Sequence, residues 1–206
     1  MTKIKSLIKG IGNEKETKIY YDNWSENYDL TLKKWNYKAP KKAVNILYSL
    51  KTNIKYNFDL ACGTGMFAEE LKKKYTNIII DGCDISSFSL TIAKKKKLYR
   101  NLILQSFEKK MKFNQKYDSV SMIGSMTYCK KPQLFFPIVA SYLKKNGIFI
   151  FTHRIDLWRN QNFDELLLRF KKCLILDFKS RPLNYLPGNK DFSNKIKIRI
   201  VGLRKI

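Results

Sequence analysis

Phe58-Asp59-Leu60-Ala61-Cys62-Gly63-Thr64-Gly65-Met66 is an apolar run that carries one acidic residue, breaks at two glycines and leads into the helix-like Phe67-Ala68-Glu69-Glu70-Leu71. Glycine turns tightly and lets backbone approach a ligand because no Cβ stands in the way. The stretch reads as a nucleotide-type cofactor loop at the carboxyl end of a strand.

Strands and helices alternate outward from it. Lys55 to Ala61 reads as a strand, Met66 to Tyr75 as a helix, Asn77 to Cys83 as a β-branched strand and Ser87 to Tyr99 as a helix. A short strand at Leu102-Ile103-Leu104, a stronger one over Ser119 to Ile123, a helix over Leu134 to Lys144 and the apolar strand Gly147 to Thr152 continue the pattern. Unbroken apolar runs belong to strands covered on both faces, so the repetition predicts a doubly wound α/β sheet. Upstream, one helix is expected over Glu16 to Asp29 and another opening at Pro40. Downstream, a helix over Phe163 to Phe170 precedes two strands, Leu174 to Phe178 and Ile196 to Leu203. The last alternates apolar with basic residues, which suits an outer antiparallel strand with one wet face. No repeat or linker interrupts this order, so one domain is expected over 1–206, with a helical segment over 1–56 and a core over 57–206.

With 44% hydrophobic and 14% aromatic residues the chain is globular rather than disordered. No apolar run approaches a membrane span, and Met1 to Gly10 lacks the continuous apolar region of a signal peptide, so a cytoplasmic protein without a membrane partner is expected. Cys62, Cys83, Cys129 and Cys173 are widely spaced, and His153 is the single imidazole. That pattern argues against zinc and against a disulfide framework, and no metal is expected. Cys62 and Cys83 read as small fillers at strand ends. Lys and Arg number 41 against 17 Asp and Glu, a net charge of +24. Such a charge suits nucleic acid, yet lysine predominates over the arginine that reads phosphates bidentately, and its runs fall at expected helix ends. A solvated basic surface is the first reading and nucleic acid the second.

Two cofactors compete for the loop. Gly63-Thr64-Gly65-Met66-Phe67-Ala68 satisfies G-x-G-x-x-G/A, and Asp84 lies where a ribose-binding acid sits for NAD. Asp59, however, brings a carboxylate that no pyrophosphate welcomes, a long helical segment precedes the first strand, and no second domain supplies a hydride acceptor. S-adenosylmethionine accounts for these features better. Ala61, Cys62, Gly63 and Gly65 can line its methionine end, Asp59 can organise its ammonium, Asp84 can accept both ribose hydroxyls, and Ile85 can lie against adenine.

Asp59-x-Ala61-Cys62-Gly63-Thr64-Gly65, Asp81-Gly82-Cys83-Asp84-Ile85-Ser86 and Tyr117-Asp118-Ser119-Val120 resemble, in order, the motifs of class I S-adenosylmethionine-dependent methyltransferases. More narrowly the chain resembles the methyltransferase-like protein 27 group of the Williams-Beuren region and its bacterial relatives. Tyr21-Asp22-Asn23-Trp24 with Tyr28-Asp29, the Ala39-Pro40 helix start, Leu98-Tyr99 and Gly124-x-x-Thr127 carry that likeness. It implies an α/β Rossmann-like methyltransferase fold: a seven-stranded mixed sheet with helices on both faces and a C-terminal antiparallel hairpin. It also implies that Tyr21 to Asp29 lids the cofactor, with Trp24 and Tyr28 near the methionine end, and that Ser106, Phe107 and Ile123 complete the cofactor set. Packing of an amphipathic helix is the alternative for the two aromatics. Lys145-Asn146-Gly147 replaces the usual Pro-Gly-Gly turn, and Asn tolerates its positive φ. Ser106-Phe107 replaces an acidic residue near adenine, and Tyr128-Cys129-Lys130 replaces a His-rich stretch at the substrate rim.

Methyl transfer needs proximity, orientation and, for some acceptors, a base. His153 is a candidate base, Arg154 a candidate holder of an acidic substrate, and Tyr128 a third candidate. The chain lacks the Asn/Asp-Pro-Pro-aromatic stretch of nucleobase amino-methylating enzymes, a Pro-Cys pair and a magnesium carboxylate cluster. A small-molecule acceptor is expected, for a monomer or homodimer. The alternatives are an RNA or ribosome-associated methyltransferase and a cofactor-binding module without turnover.

Overall fold

The computed structural model describes residues 11–190, 192 and 195–206, so the expectation for Met1 to Gly10 lies outside the described residues. Strands β1 (Tyr56–Leu60), β2 (Ile79–Asp84), β3 (Asn101–Leu104), β4 (Tyr117–Met122), β5 (Leu143–Arg154), β6 (Leu174–Lys179), β7 (Leu183–Asn184) and β8 (Lys197–Lys205) form one mixed sheet. Its order is β3-β2-β1-β4-β5-β8-β6, with the two-residue β7 also paired to β8. The first five strands run parallel, and β8 runs antiparallel to both β5 and β6. The seven-strand path with a terminal antiparallel hairpin is the expected one, and β7 is added to it.

The sheet is covered by α1 (Glu14–Lys34), α2 (Ala39–Leu50), α3 (Met66–Lys74), α4 (Ser87–Lys95), α5 (Pro132–Tyr142), α6 (Ile155–Asn160) and α7 (Phe163–Arg169). Strand β5 shows how its sequence serves both faces, because successive side chains point to opposite sides. Ile148 and Ile150 pack with Val44 and Leu47 of α2 and with Phe67 and Leu71 of α3. Phe149 and Phe151 pack with Phe135 and Phe136 of α5 and Phe163 of α7. The Tyr117-Asp118 pair ties neighbouring strands together. Tyr117 Oη donates to Asp81 at 2.8 Å, and Asp118 Oδ2 accepts the Lys55 and Tyr56 amides at 3.0 and 2.9 Å.

Helix boundaries differ from expectation for local reasons. Asn13 caps α1 by accepting the Lys15 and Glu16 amides, so the helix starts earlier than Glu16, and it runs on past Asp29 to Lys34. Helix α4 stops at Lys95, short of the expected Tyr99, and Lys97 just beyond it takes φ 55°. Helix α5 gives way to β5 at Leu143, and Asn146 takes φ 59°, the conformation its side chain tolerates. Helix α6 has no counterpart in the sequence reading.

The early end of α4 places Tyr99 against Gly82 of β2. A Cβ on Gly82 would lie 2.8 Å from Tyr99 Cε1 and 3.0 Å from Cys62 Sγ. Gly82→Ala is therefore expected to destabilise the protein by about 1–3 kcal/mol in urea unfolding, as overpacking does. An unchanged midpoint would show that Tyr99 is free to move.

Candidate cofactor site

The strand order reverses between β1 and β4, where open α/β sheets leave a crevice outside the strand ends. The chain leaves β1 through alternating left-handed residues: Ala61 at φ 51°, Gly63 at 54° and Gly65 at 91°. Glycine adopts this freely, whereas Ala61 stores roughly 1–2 kcal/mol of strain. A Cβ added to Gly63 would meet no atom within 4 Å, so this backbone opens onto the crevice. Gly63 N donates to Asp84 Oδ2 and Ser86 N to Asp84 Oδ1, each at 2.8 Å. Burial raises the Asp84 pKa despite those amides. Each oxygen still has a lone pair for a further donor.

Asp59 is 1% exposed and accepts Tyr99 Oη and Ser121 Oγ, both at 2.8 Å. Ser121 Oγ in turn accepts Asn57 Nδ2 at 3.0 Å, and Asn57 Oδ1 accepts Ser119 Oγ at 2.7 Å. Loss of water outweighs these bonds, and the carboxyl is pushed up to about 7. A positively charged group arriving beside Asp59 would supply the missing counter-charge.

Helix α1 closes the crevice from above through tethers to three loops. Asp22 accepts Ser86 Oγ at 2.6 Å, and Asp29 accepts Thr64 Oγ1 at 2.5 Å and Lys96 Nζ at 2.6 Å. Tyr21 and Tyr128 share a hydroxyl hydrogen bond at 3.0 Å. The cleft beneath α1 is lined by this helix and by the loops that follow β1, β2, β3 and β4.

Of the expected cofactor residues, Tyr28, Asp59, Ala61, Cys62, Gly63, Asp84, Ile85, Ser106, Phe107 and Ile123 line this cleft, as does Tyr128. Two others face elsewhere. Trp24 packs beneath α1 with Leu32, Leu186 and Phe192, the packing alternative for this aromatic. Gly65 caps α3, and a Cβ there would meet Tyr99 Cε2 at 3.2 Å. The structure does not bring His153 to the cleft. The ring is 1% exposed, stands 4.6 Å from Phe163, and meets Gln161 Oε1 at 3.2 Å. Burial lowers its pKa to about 4, which suits a neutral core group and not a base on an acceptor. Strand parity carries the reason, since His153 follows Phe149 and Phe151 onto the aromatic face. Arg154 is buried, and two of its nitrogens bind Asp156. Burial raises the thiol pKa of Cys62 and Cys83, in keeping with fillers. Tyr99, marked in the sequence only by the family likeness, and Ser121 hold Asp59, and Tyr37 joins the cleft wall; distant segments bring them together, and nothing in their local spacing gives them these roles.

A protein-family model described as a methyltransferase domain matches residues 58–149, from β1 into β5. Solved structures extend the likeness to the whole sheet. The plantazolicin methyltransferase BpumL, in complex with a desmethyl analogue and SAH, superposes with a TM-score of 0.66 at 14% identity, covering 94% of this chain and 92% of that one. The fold is the Rossmann-like methyltransferase fold. The [4+2]-cyclase SpnF shares it, with a TM-score of 0.63 at 14% identity over 80% of this chain and 81% of its own. Among curated proteins, malonyl-[acyl-carrier protein] O-methyltransferase 2 of Ilyobacter polytropus is 30% identical over 97 residues, 46% of this chain. The chain spans 37% of that relative's length.

Two perturbed groups of the sheet, Asp59 and His153, act oppositely on stability. Asp59, raised from 3.8 to about 7, keeps a proton that the unfolded chain releases, so its contribution is lost as pH rises through 7. His153, lowered from 6.5 to about 4, contributes above pH 6.5 and loses that contribution as pH falls through 4. Asp59→Asn is expected to raise the melting temperature of the ligand-free protein by several degrees at pH 8 and to change it little at pH 4. A variant less stable than the parent at pH 8 would show that the ionised carboxylate is well solvated.

Proposed function

We propose that this chain is an S-adenosylmethionine-dependent methyltransferase acting on a small-molecule acceptor, working as one domain with α1 as its lid. The carrying observation is the pair of buried carboxylates, Asp59 and Asp84, flanking a left-handed loop whose Gly63 backbone opens onto the cleft. These residues fit the cofactor. Asp84 has acceptor capacity for two ribose hydroxyls, Asp59 for an ammonium, and Ile85, Ser106 and Phe107 form a wall for adenine. Tyr28 and the backbone of Ala61, Cys62 and Gly63 face the methionine end, with Ile123 beside them.

The cofactor, when bound, supplies a methyl group on an activated sulfonium. The chain's own residues orient it and exclude water: Asp22, Asp29 and Tyr21 hold the lid down on the loops after β2, β1 and β4. Tyr128 stays at the acceptor rim as a contact residue. The methyltransferase-named relatives, one an O-methyltransferase and one acting on a plantazolicin, support a small-molecule acceptor. The narrower likeness to the methyltransferase-like protein 27 group rests on the Tyr21 to Asp29 segment, which here carries the lid tethers. Free cysteines accord with a cytoplasmic protein, as a monomer or homodimer. The cyclase with this fold favours a second reading, cofactor binding without methyl transfer.

Titration calorimetry with S-adenosylhomocysteine tests the site. Asp84→Ala removes two charge-assisted hydrogen bonds and is expected to weaken binding on the order of a hundredfold or more. Unchanged affinity would mean the ribose lies elsewhere. Labelled methyl donor incubated with fractionated extract is expected to mark the small-molecule fraction; label confined to RNA or protein overturns that acceptor class, and tight binding with no label in any fraction supports the second reading.

A further inference from the structure

Arg154 closes β5 at the carboxyl edge of the sheet, on the strand face opposite His153. Its Nε and Nη2 donate to Asp156 at 3.1 and 2.6 Å, and its guanidinium carbon lies 5.4 Å from the centre of the Phe192 ring. Nη1 is buried and has no hydrogen-bond partner among the described residues. Buried donors in native proteins are nearly always paired, so an orphaned guanidinium nitrogen asks for a ligand.

Its surroundings name the ligand's chemistry. Phe192, over which the guanidinium lies, stacks on Tyr185 with ring centres 6.0 Å apart. Tyr128 lines the cleft beside Tyr21, Tyr28 and Tyr37, and Tyr185 packs edge-on against Tyr37 at 5.7 Å. Flat aromatic rings and neutral hydroxyls thus line the cleft, and one permanent positive charge stands behind Tyr185 and Phe192. Aromatic walls bury a planar body, and a guanidinium matches a carboxylate.

We propose that the methyl acceptor is a planar carboxylic acid whose carboxylate docks on Arg154 Nη1 among these tyrosines, an inference that rests on the methyltransferase reading. A carboxylate needs no base, which accords with the burial of the chain's single imidazole outside the cleft. With one oxygen held by Nη1, the other takes the methyl group. Its C–O bond forms as the donor's C–S bond breaks, and sulfur keeps that electron pair. The negative and positive charges cancel, giving a methyl ester and a neutral thioether with no proton released.

The test titrates benzoate into protein saturated with S-adenosylhomocysteine, followed by tyrosine and tryptophan fluorescence, with benzamide as the neutral counterpart. Benzoate is expected to bind more tightly than benzamide, and Arg154→Gln to weaken it on the order of tenfold or more while S-adenosylhomocysteine affinity is unchanged. Asp156→Asn, at a more exposed position, releases a competing carboxylate from Arg154 and is expected to tighten benzoate binding. Benzoate no tighter than benzamide, or insensitive to both substitutions, overturns the acid site. Failure of the parent protein to bind S-adenosylhomocysteine overturns the cofactor reading instead. Label transferred from the methyl donor to extract is expected to leave as methanol under mild alkali, and alkali-stable label overturns the carboxylate as acceptor.

Discussion

Asp59 is a carboxylate that the sheet withdraws from water without giving it a cation. Two hydroxyls, from Tyr99 and Ser121, answer it, and they compensate only in part, so burial pushes its pKa up to about 7. Much of the surrounding construction follows from that debt. Tyr99 must leave its helix to reach β1, Gly82 must lack a side chain to admit its ring, and Ser119, Ser121 and Asn57 must carry a polar chain through an otherwise apolar layer. A fully satisfied apolar centre would be more stable, and an unsatisfied carboxylate is what leaves binding energy for a cationic ligand.

The lid is held by different forces. Its contacts to the loops are hydrogen bonds and ion pairs at the cleft edge, whereas the far side of α1 rests on Trp24, Leu32, Leu186 and Phe192. These polar links are partly buried, and the apolar base adds the burial of large side chains. Lys96 takes part in this by pairing with Asp29 and Glu69, and the runs Lys72 to Lys74 and Lys94-Lys95 fall in the last turns of α3 and α4.

Neighbouring residues show how far local reading reaches. His153 and Arg154 stand together after an apolar strand, and both look available to a ligand at its end. Alternation along β5 separates them, sending the imidazole against Phe163 and the guanidinium over Phe192 and onto Asp156. Counting parity from Phe149 and Phe151 carries that signal, although it becomes decisive only once the faces are known. Trp24 depends on distant residues too: the family resemblance implies a place near the cofactor, packing was the alternative, and the ring lies among Leu32, Leu186 and Phe192, two of them far along the chain.

Composition and pattern determined what is local: the alternation of elements, the glycine loop, the acidic residues at the ends of β1 and β2, and the character of the terminal hairpin. Each follows from backbone preference or from a strand's two-residue period, which a short window contains. Tertiary structure decided the rest. The pKa of Asp59, the orphaned nitrogen of Arg154 and the enclosure of tyrosines depend on which distant side chains remove water from a group, and that is a property of packing rather than of neighbours in sequence.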